Sequence, residues 1–290
     1  MTGQRSLTMR KIREQAAFLA LRLAMALVLG SLGGILLFIF IQGAGAISWT
    51  FLSDVPRDSM TKGGIFPAIV GTFFLTVGAI LVALPLGVAS AVYLSEYARE
   101  GRLLRLARLG INNLAGVPSV VFGLFGLALF VVFFKMGVSL AAGSLTLGLL
   151  ILPTVIGASE EAMRAVPDTY REASYGLGGS RWQTIWRVVL PAAFPGILTG
   201  SILSIGRAAG ETAPIMFTAA TFYTLHLPKS PFAEVMALPY HIYVLATAGT
   251  HIEQTRPLQY GTVMVLITMV LGLCLVAILA RTRLRKKKLW

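Results

Sequence analysis

Lipid offers no hydrogen-bond partners to a bare backbone, so a helix must carry about twenty consecutive apolar residues to cross a bilayer. Six segments of this sequence meet that requirement, at 19–41, 66–92, 112–134, 138–157, 192–218 and 258–280. The chain therefore reads as an all-α membrane protein with six transmembrane helices. Its composition agrees: of 290 residues, 56% are hydrophobic and 13% charged, where soluble domains carry about 25% charged residues. Only Lys135, Met136 and Gly137 separate the third and fourth segments, which predicts a tight hairpin. The fifth is the least conventional, because it contains both Arg207 and Glu211. Pro85, Pro118, Pro153 and Pro195 fall inside spans, where neighbouring helices can satisfy the freed backbone groups. Such interruptions suggest a bundle that lines a path.

The net charge of +13 does not indicate a nucleic-acid partner, because the basic residues sit at segment ends instead of lining one face. They set orientation. Arg5, Arg10, Lys11, Arg13 and Arg22 precede or open the first span; Arg99, Arg102, Arg105 and Arg108 follow the second; Arg281, Arg283, Arg285 and Lys286 to Lys288 close the chain. The alternate loops hold only Arg57, Lys62, Lys135, Lys229 and Arg256. By the positive-inside rule both termini are expected in the cytoplasm, together with the loop at about 158–191. Ala44-Gly45-Ala46 resembles a signal-cleavage site, but the apolar run before it is about 23 residues, longer than the usual 7 to 15, so the first span is expected to be retained.

Catalytic and metal chemistry finds little support. Cys274 is the sole cysteine, and His226, His241 and His251 share one loop without ligand spacing. No cofactor is expected. No Gly-Lys pair exists, so the phosphate cradle of a Walker A loop is absent, and an ATP-driven role needs a second polypeptide. The loop at 219–257 carries Pro228, Pro231 and Pro239 among aromatic runs such as Leu238-Pro239-Tyr240-His241-Ile242-Tyr243. It is expected to hold an interfacial helix, with Tyr and His presenting polar tips.

Two polar stretches carry the functional reading. In the loop at 158–191, residues 159–166 should prolong the fourth span until Pro167 stops them. Asp168 or Thr169 would then cap a second helix through Tyr175, ending at Gly176 or Gly178. Small Ala173 and Ser174 would let a partner surface approach, and Arg171 and Glu172 would supply charged contacts; the bland alternative is a solvated connector. In the fifth span, Arg207 and Glu211 are spaced i, i+4 and can neutralise each other, where a lone Arg would cost roughly 3 kcal/mol. They read either as a structural pair or as a substrate route, the guanidinium fork suiting an oxyanion such as phosphate.

Glu172, Ala173, Ser174, Gly178, Val188, Leu190 and Pro191 fall at the spacing of the EAA loop of bacterial ABC importer permeases. Ser174 stands where that pattern has a second alanine. Arg207-Ala208-Ala209-Gly210-Glu211-Thr212-Ala213-Pro214 and Gly116-Val117-Pro118-Ser119-Val120-Val121-Phe122-Gly123-Leu124-Phe125-Gly126 are similar to the phosphate-specific permeases. Gly63-Gly64-Ile65-Phe66-Pro67 and Leu238-Pro239-Tyr240-His241 look like the PstA type, and the likeness runs from about residue 60 to the end. The resemblance implies a type I ABC importer permease (MetI-like) fold in the bacterial inner membrane. It divides the chain into an amino-terminal tail, first span and outer loop (1–60), a permease domain (61–284) and a basic tail (285–290).

It further implies a non-catalytic subunit working with a PstC-type permease, two PstB-type ATP-binding subunits and a periplasmic PstS-type phosphate-binding protein. Arg171, Glu172, Ala173, Ser174, Gly178 and Pro191 would form the ATPase-docking loop, with Trp182 a neighbour; Arg207, Glu211 and Thr212 would line the substrate pathway. Sulfate or molybdate is the rival cargo. An ATP-independent secondary transporter and a membrane-embedded enzyme are the more distant alternatives.

Overall fold

The computed structural model describes the backbone of residues 2–248 and 252–286, with side chains except at 2–10, 12, 59, 252, 254 and 284–286. His251, which entered the metal-ligand reading, and Lys287, Lys288 and the side chains of Arg5, Arg10, Arg285 and Lys286, which entered the charge reading, lie outside the described residues. The first span is α1 (Thr2–Gly43), followed by a short α2 (Trp49–Ser53) capped by the Ser48 hydroxyl. A two-residue hairpin, β1 (Pro56–Arg57) with β2 (Lys62–Gly63), leads into α3 (Phe66–Val92), the second span. The chain then forms α4 (Arg102–Ala115), α5 (Ser119–Gly126) and α6 (Leu140–Arg164). Next come α7 (Asp168–Gly176), α8 (Arg181–Thr184), α9 (Leu190–Gly210) and α10 (Ala213–Thr218). The last two are α11 (Leu238–Thr247) and α12 (Ile252–Lys286).

Among the described residues five helices are long and apolar enough to cross a membrane unbroken; α4 and the helix from Ser119 to Phe133 meet that test only as a pair, bent by 101° at the break between them. The sequence places a straight third span at 112–134, but 112–115 belong to α4. Pro118 is the reason: it has no N–H to continue the ladder, and it sits in extended backbone (ψ 140°) at the start of α5. In α4, Leu103, Leu106 and Leu109 are exposed along with Arg102 and Arg105. This is the composition of a helix lying in a membrane interface. The fifth span is also divided, α9 ending at Gly210 and α10 restarting at Ala213. The expected hairpin between the third and fourth spans is present, with Lys135 (φ 55°) and Gly137 (φ 67°) left-handed and the Ser139 hydroxyl capping α6 at the Ala142 N–H.

Packing follows membrane rules: with no hydrophobic drive between helices in lipid, small residues let backbones come close. Ala79 and Ala83 of α3 meet Leu147, Leu150 and Ile151 of α6 in the main core. A Cβ at Gly200 would lie 2.2 Å from the Ala158 Cβ, and one at Gly196 2.6 Å from the Ala162 Cβ, so α9 and α6 touch through four small residues. Large apolar side chains such as Leu81, Leu86, Leu203 and Leu271 instead face outward. At the carboxy-terminal end of α12, Arg281 donates to the Thr199 hydroxyl at 2.7 Å. The start of α12 meets the end of α1, where Phe38 and Tyr260 stack edge to face and Gly43 abuts the Tyr260 backbone.

The expected helix in the 219–257 loop exists as α11, but it is packed inward. Leu238, Pro239, His241, Val244 and Leu245 form its buried face, and the Leu238 N–H is held by the Thr72 hydroxyl of α3. His241 is 4% exposed, its Nδ1 has no hydrogen-bond partner, and burial lowers its pKa to about 4. The unfolded chain, with a pKa near 6.5, binds more protons between these values, so stability falls as pH drops from about 6.5 toward 4. The loss should approach ~3 kcal/mol. We expect thermal unfolding in detergent to show a pH-dependent midpoint over this interval that His241→Leu flattens; identical slopes in the two proteins would rule the histidine out.

Candidate functional site

The loop between α6 and α9 is held from beneath and bare on top. Pro167 (ψ 141°) begins α7, and no side chain caps that helix; Asp168, expected as a cap, instead pairs with Arg171 at 3.1 Å. Gly178 then turns the chain with φ 80°, a left-handed geometry that glycine adopts without a Cβ penalty. Ser180 and Gln183 form a reciprocal capping box that starts α8. Beyond α8 the helix widens into a π turn over Ile185–Val189. Pro191, two residues into α9, cannot donate to the carbonyl four residues back and crowds it, and the wider turn relieves that clash.

Two side chains of α7 point inward. The Arg171 guanidinium donates to Glu96 (2.8 Å), to the Val166 carbonyl (2.7 Å) and to the Met163 carbonyl (3.0 Å) as well as to Asp168. Its pKa is raised, chiefly by the hydrogen bond to Glu96 and against the opposing desolvation. One turn on, the Ser174 hydroxyl bonds that of buried Thr184 at 2.8 Å, and the Ser174 carbonyl accepts from Gly179. Glu172, Ala173, Tyr175 and Gly178 all face out, and Leu177 is 90% exposed. Tyr170 and Tyr175 are exposed on the same short helix, so its outer side carries apolar as well as charged surface.

Glu96 was not singled out from sequence. It lies in the π turn Tyr93–Tyr97 that prolongs α3, with its side chain 7% exposed. Its carboxylate takes Arg171 and its backbone carbonyl accepts from Arg181, whose guanidinium also lies 5.0 Å over the Tyr97 ring. One residue thus ties α3 to both α7 and α8. The only hint in the sequence is an acid at the end of an apolar span; its partner is 75 residues away. A second cluster supports the same end: Glu160 of α6 accepts Arg108 of α4 at 2.8 Å and Arg164 at 2.7 Å.

The other candidate lies where the fifth span breaks. Arg207 Nε donates to Glu211 Oε1 at 3.3 Å, the pair being 37% and 18% exposed. Glu211 and Thr212 have left the helix, with Glu211 extended (ψ 131°) and the Thr212 carbonyl accepting the Met216 N–H of α10. The next residues, Ala213 and Pro214, pack backbone to backbone on α5: a Cβ at Gly123 would come 2.9 Å from the Ala213 carbonyl and 3.0 Å from the Pro214 Cα. The fold thereby unites the two motifs at 116–126 and 207–214. Irregular backbone within a membrane protein is tolerated where protein buries it or where it lines a water-filled path. Among the described residues no three His, Cys, Asp or Glu side chains gather as a metal site would require.

A divided, proline-interrupted bundle with a protruding loop helix is the build of a membrane transport subunit, and comparison with known proteins gives the family. Residues 83–288 match the family described as binding-protein-dependent transport system inner membrane component, and the chain belongs to it. It is 33% identical over 289 residues (96% of this chain, 98% of the relative) to the probable ABC transporter permease protein YqgI of Bacillus subtilis. It is 38% identical over 233 residues (80% and 75%) to the phosphate transport system permease protein PstA 1 of Mycobacterium tuberculosis strain CDC 1551. It is 35% identical over 283 residues (95% and 92%) to PstA of Yersinia pestis. Among solved structures it resembles the inward-facing MetNI methionine ABC transporter (TM-score 0.58, 18% identity, 76% of this chain and 94% of that one). A bacterial ABC transporter for alginate import is similar as well (TM-score 0.60, 13% identity, 89% and 95%). The fold is that of the MetI-like ABC importer permeases.

Removing one member of the Glu96–Arg171 pair leaves the other charge buried, at a cost of about 3 kcal/mol. In Arg171→Met we expect amide hydrogen exchange across 168–179 to quicken by at least tenfold while α6 and α12 stay protected. Unchanged exchange would show that the loop is held by something else.

Proposed function

We propose that this chain is the PstA-type permease subunit of an ATP-driven phosphate importer, supplying half of the translocation path. The observation that carries the reading is the break in the fifth span, with a half-exposed Arg207 beside the non-helical Glu211 and Thr212. A guanidinium whose charge is balanced by one neighbouring carboxylate can pass an oxyanion without trapping it. The substrate is drawn from the relatives named phosphate transport system permease proteins. Sulfate and molybdate are the competing oxyanions.

On this reading the protein is non-catalytic and ATP is hydrolysed by two PstB-type subunits. A PstC-type permease completes the channel and a periplasmic PstS-type protein delivers phosphate. Both termini and the α7 loop lie in the cytoplasm, in keeping with the basic ends of the chain. Glu172, Ala173 and Gly178 meet the ATPase, while Arg171, Ser174 and Pro191 set the angle at which they are offered. Force applied to α7 passes through Arg171 to Glu96 and so to α3.

Loss of a charge-assisted hydrogen bond costs about 1.5–3 kcal/mol, or at least tenfold. We therefore expect labelled-phosphate uptake at normal expression to fall about tenfold or more in Arg207→Gln, and to fall also in Glu211→Gln, where the unpaired guanidinium holds the anion. Full uptake in both would leave only a structural pair, and competition by sulfate or molybdate would reassign the cargo. For the loop, Glu172→Lys should abolish co-purification of the ATP-binding subunit; undiminished assembly, or uptake indifferent to orthovanadate, would count against ATP coupling through α7.

A further inference from the structure

Between the second half of α3 and the segment from α8 into α9 runs a groove of about 720 Å³. Its length is lined by aliphatic side chains including Ile80, Leu84 and Val88, with Pro85 and Ala89 as the short members that leave it open. The polar side chains are confined to one end, where Tyr93 and Tyr97 face Trp182 and Trp186. The two indoles lie 5.3 Å apart, and all four rings are exposed by a third or more. That end adjoins the α7 loop. Trp and Tyr gather where a membrane meets water, so the groove descends from the interface on the loop side into the hydrocarbon. From Ile80 to Tyr93 it follows α3 for about 20 Å at 1.5 Å per residue, enough to cover one leaflet of roughly 15 Å.

The charge at the mouth is positive. Arg181 and Arg187 flank the tryptophans on the same segment, and Arg99 follows Tyr97 by two residues. Among the described residues Arg99 and Arg187 join no ion pair, and both are exposed. Of the acids here, Glu96 is held by Arg171 and Glu100 is an exposed neighbour of Arg99. A protein interface carries its aromatic anchors near its centre, ringed by polar residues; here they stand at one end of an aliphatic channel. We propose that the groove is a binding site for an anionic phospholipid of the leaflet on the loop side, one acyl chain lying along α3 and the headgroup between Arg181, Arg187 and Arg99. An occupied site would brace α8 against α3 beside Glu96, the residue that carries the loop.

The site rests on the orientation given above only for which leaflet supplies the lipid, and its test does not involve transport. The full chain would be purified in mild detergent and placed in nanodiscs of equimolar phosphatidylglycerol and phosphatidylcholine. Lipid retained after delipidation would be identified by mass spectrometry. We expect phosphatidylglycerol to be enriched, with Arg187→Gln reducing the enrichment by about fivefold. Ala89→Phe, which fills the groove, should abolish it. Because Ala89→Phe is also a packing change, a photoreactive diazirine analogue of leucine at Leu84, close in size to the side chain it replaces, gives a second measure: in native membranes it should label phospholipid. Retention at the bulk lipid ratio would overturn the proposal. So would cross-linking of position 84 to polypeptide, which would make the groove a subunit contact.

Discussion

The guanidinium of Arg171 inside the end of α3 is the contact on which the loop's geometry depends. A nine-residue helix with no buried residue and no side-chain cap has little stability of its own in water. Its position comes from outside it. Four acceptors surround Arg171, two of them backbone carbonyls at the end of α6 and its exit, and one of them the carboxylate of Glu96. Burying a charge pair is costly unless every donor and lone pair finds a partner, and removing one member is costlier still. That asymmetry makes the arrangement rigid and directional. Under the proposed function, a push on α7 would pass through these bonds to α3 and α6.

What it reaches is a bundle whose contacts are made by alanine and glycine. Ala158 against Gly200 and Ala162 against Gly196 bring α6 and α9 together with no interlocking large side chains. Short contacts of this kind are strong by proximity yet smooth along the helix axes. The two irregular crossings also lie together, since Gly123 of α5 sits on Ala213 and Pro214. Each covers part of the other's exposed backbone.

The spans were legible because twenty apolar residues in a row admit few other structures, and the stops at Pro167, Gly176 and Gly178 were legible because those residues act locally. The breaks within spans were not. Pro118 and Pro214 were visible, but a bend of 101° depends on where Gly116 and the amphipathic Arg102–Ala115 helix find their surface. Arg171 and Ser174 stood in the expected docking loop as members alike with Glu172; only the fold separates inward-pointing side chains from outward ones. Glu96 was invisible for the same reason, its role being defined by a partner 75 positions distant. His241 misled more actively: an aromatic, proline-bounded stretch reads as interfacial, whereas α11 is drawn under by the Thr72 hydroxyl and buries its histidine.

The two ion pairs differ in a way that suits the parts assigned to them. Arg171 is 15% exposed and has four acceptors, and a competing anion would have to displace them from a largely buried site. Arg207 is 37% exposed and donates once to Glu211, at 3.3 Å, through Nε; its terminal nitrogens are free of any side-chain or backbone acceptor among the described residues. Under the proposed function, an incoming tetrahedral oxyanion would take those nitrogens without breaking the existing bond, and the adjacent carboxylate would oppose its charge from the moment it arrives. Attraction and repulsion then sit within one helical turn of each other. A passing anion needs both, since a guanidinium alone would hold it and a carboxylate alone would never admit it.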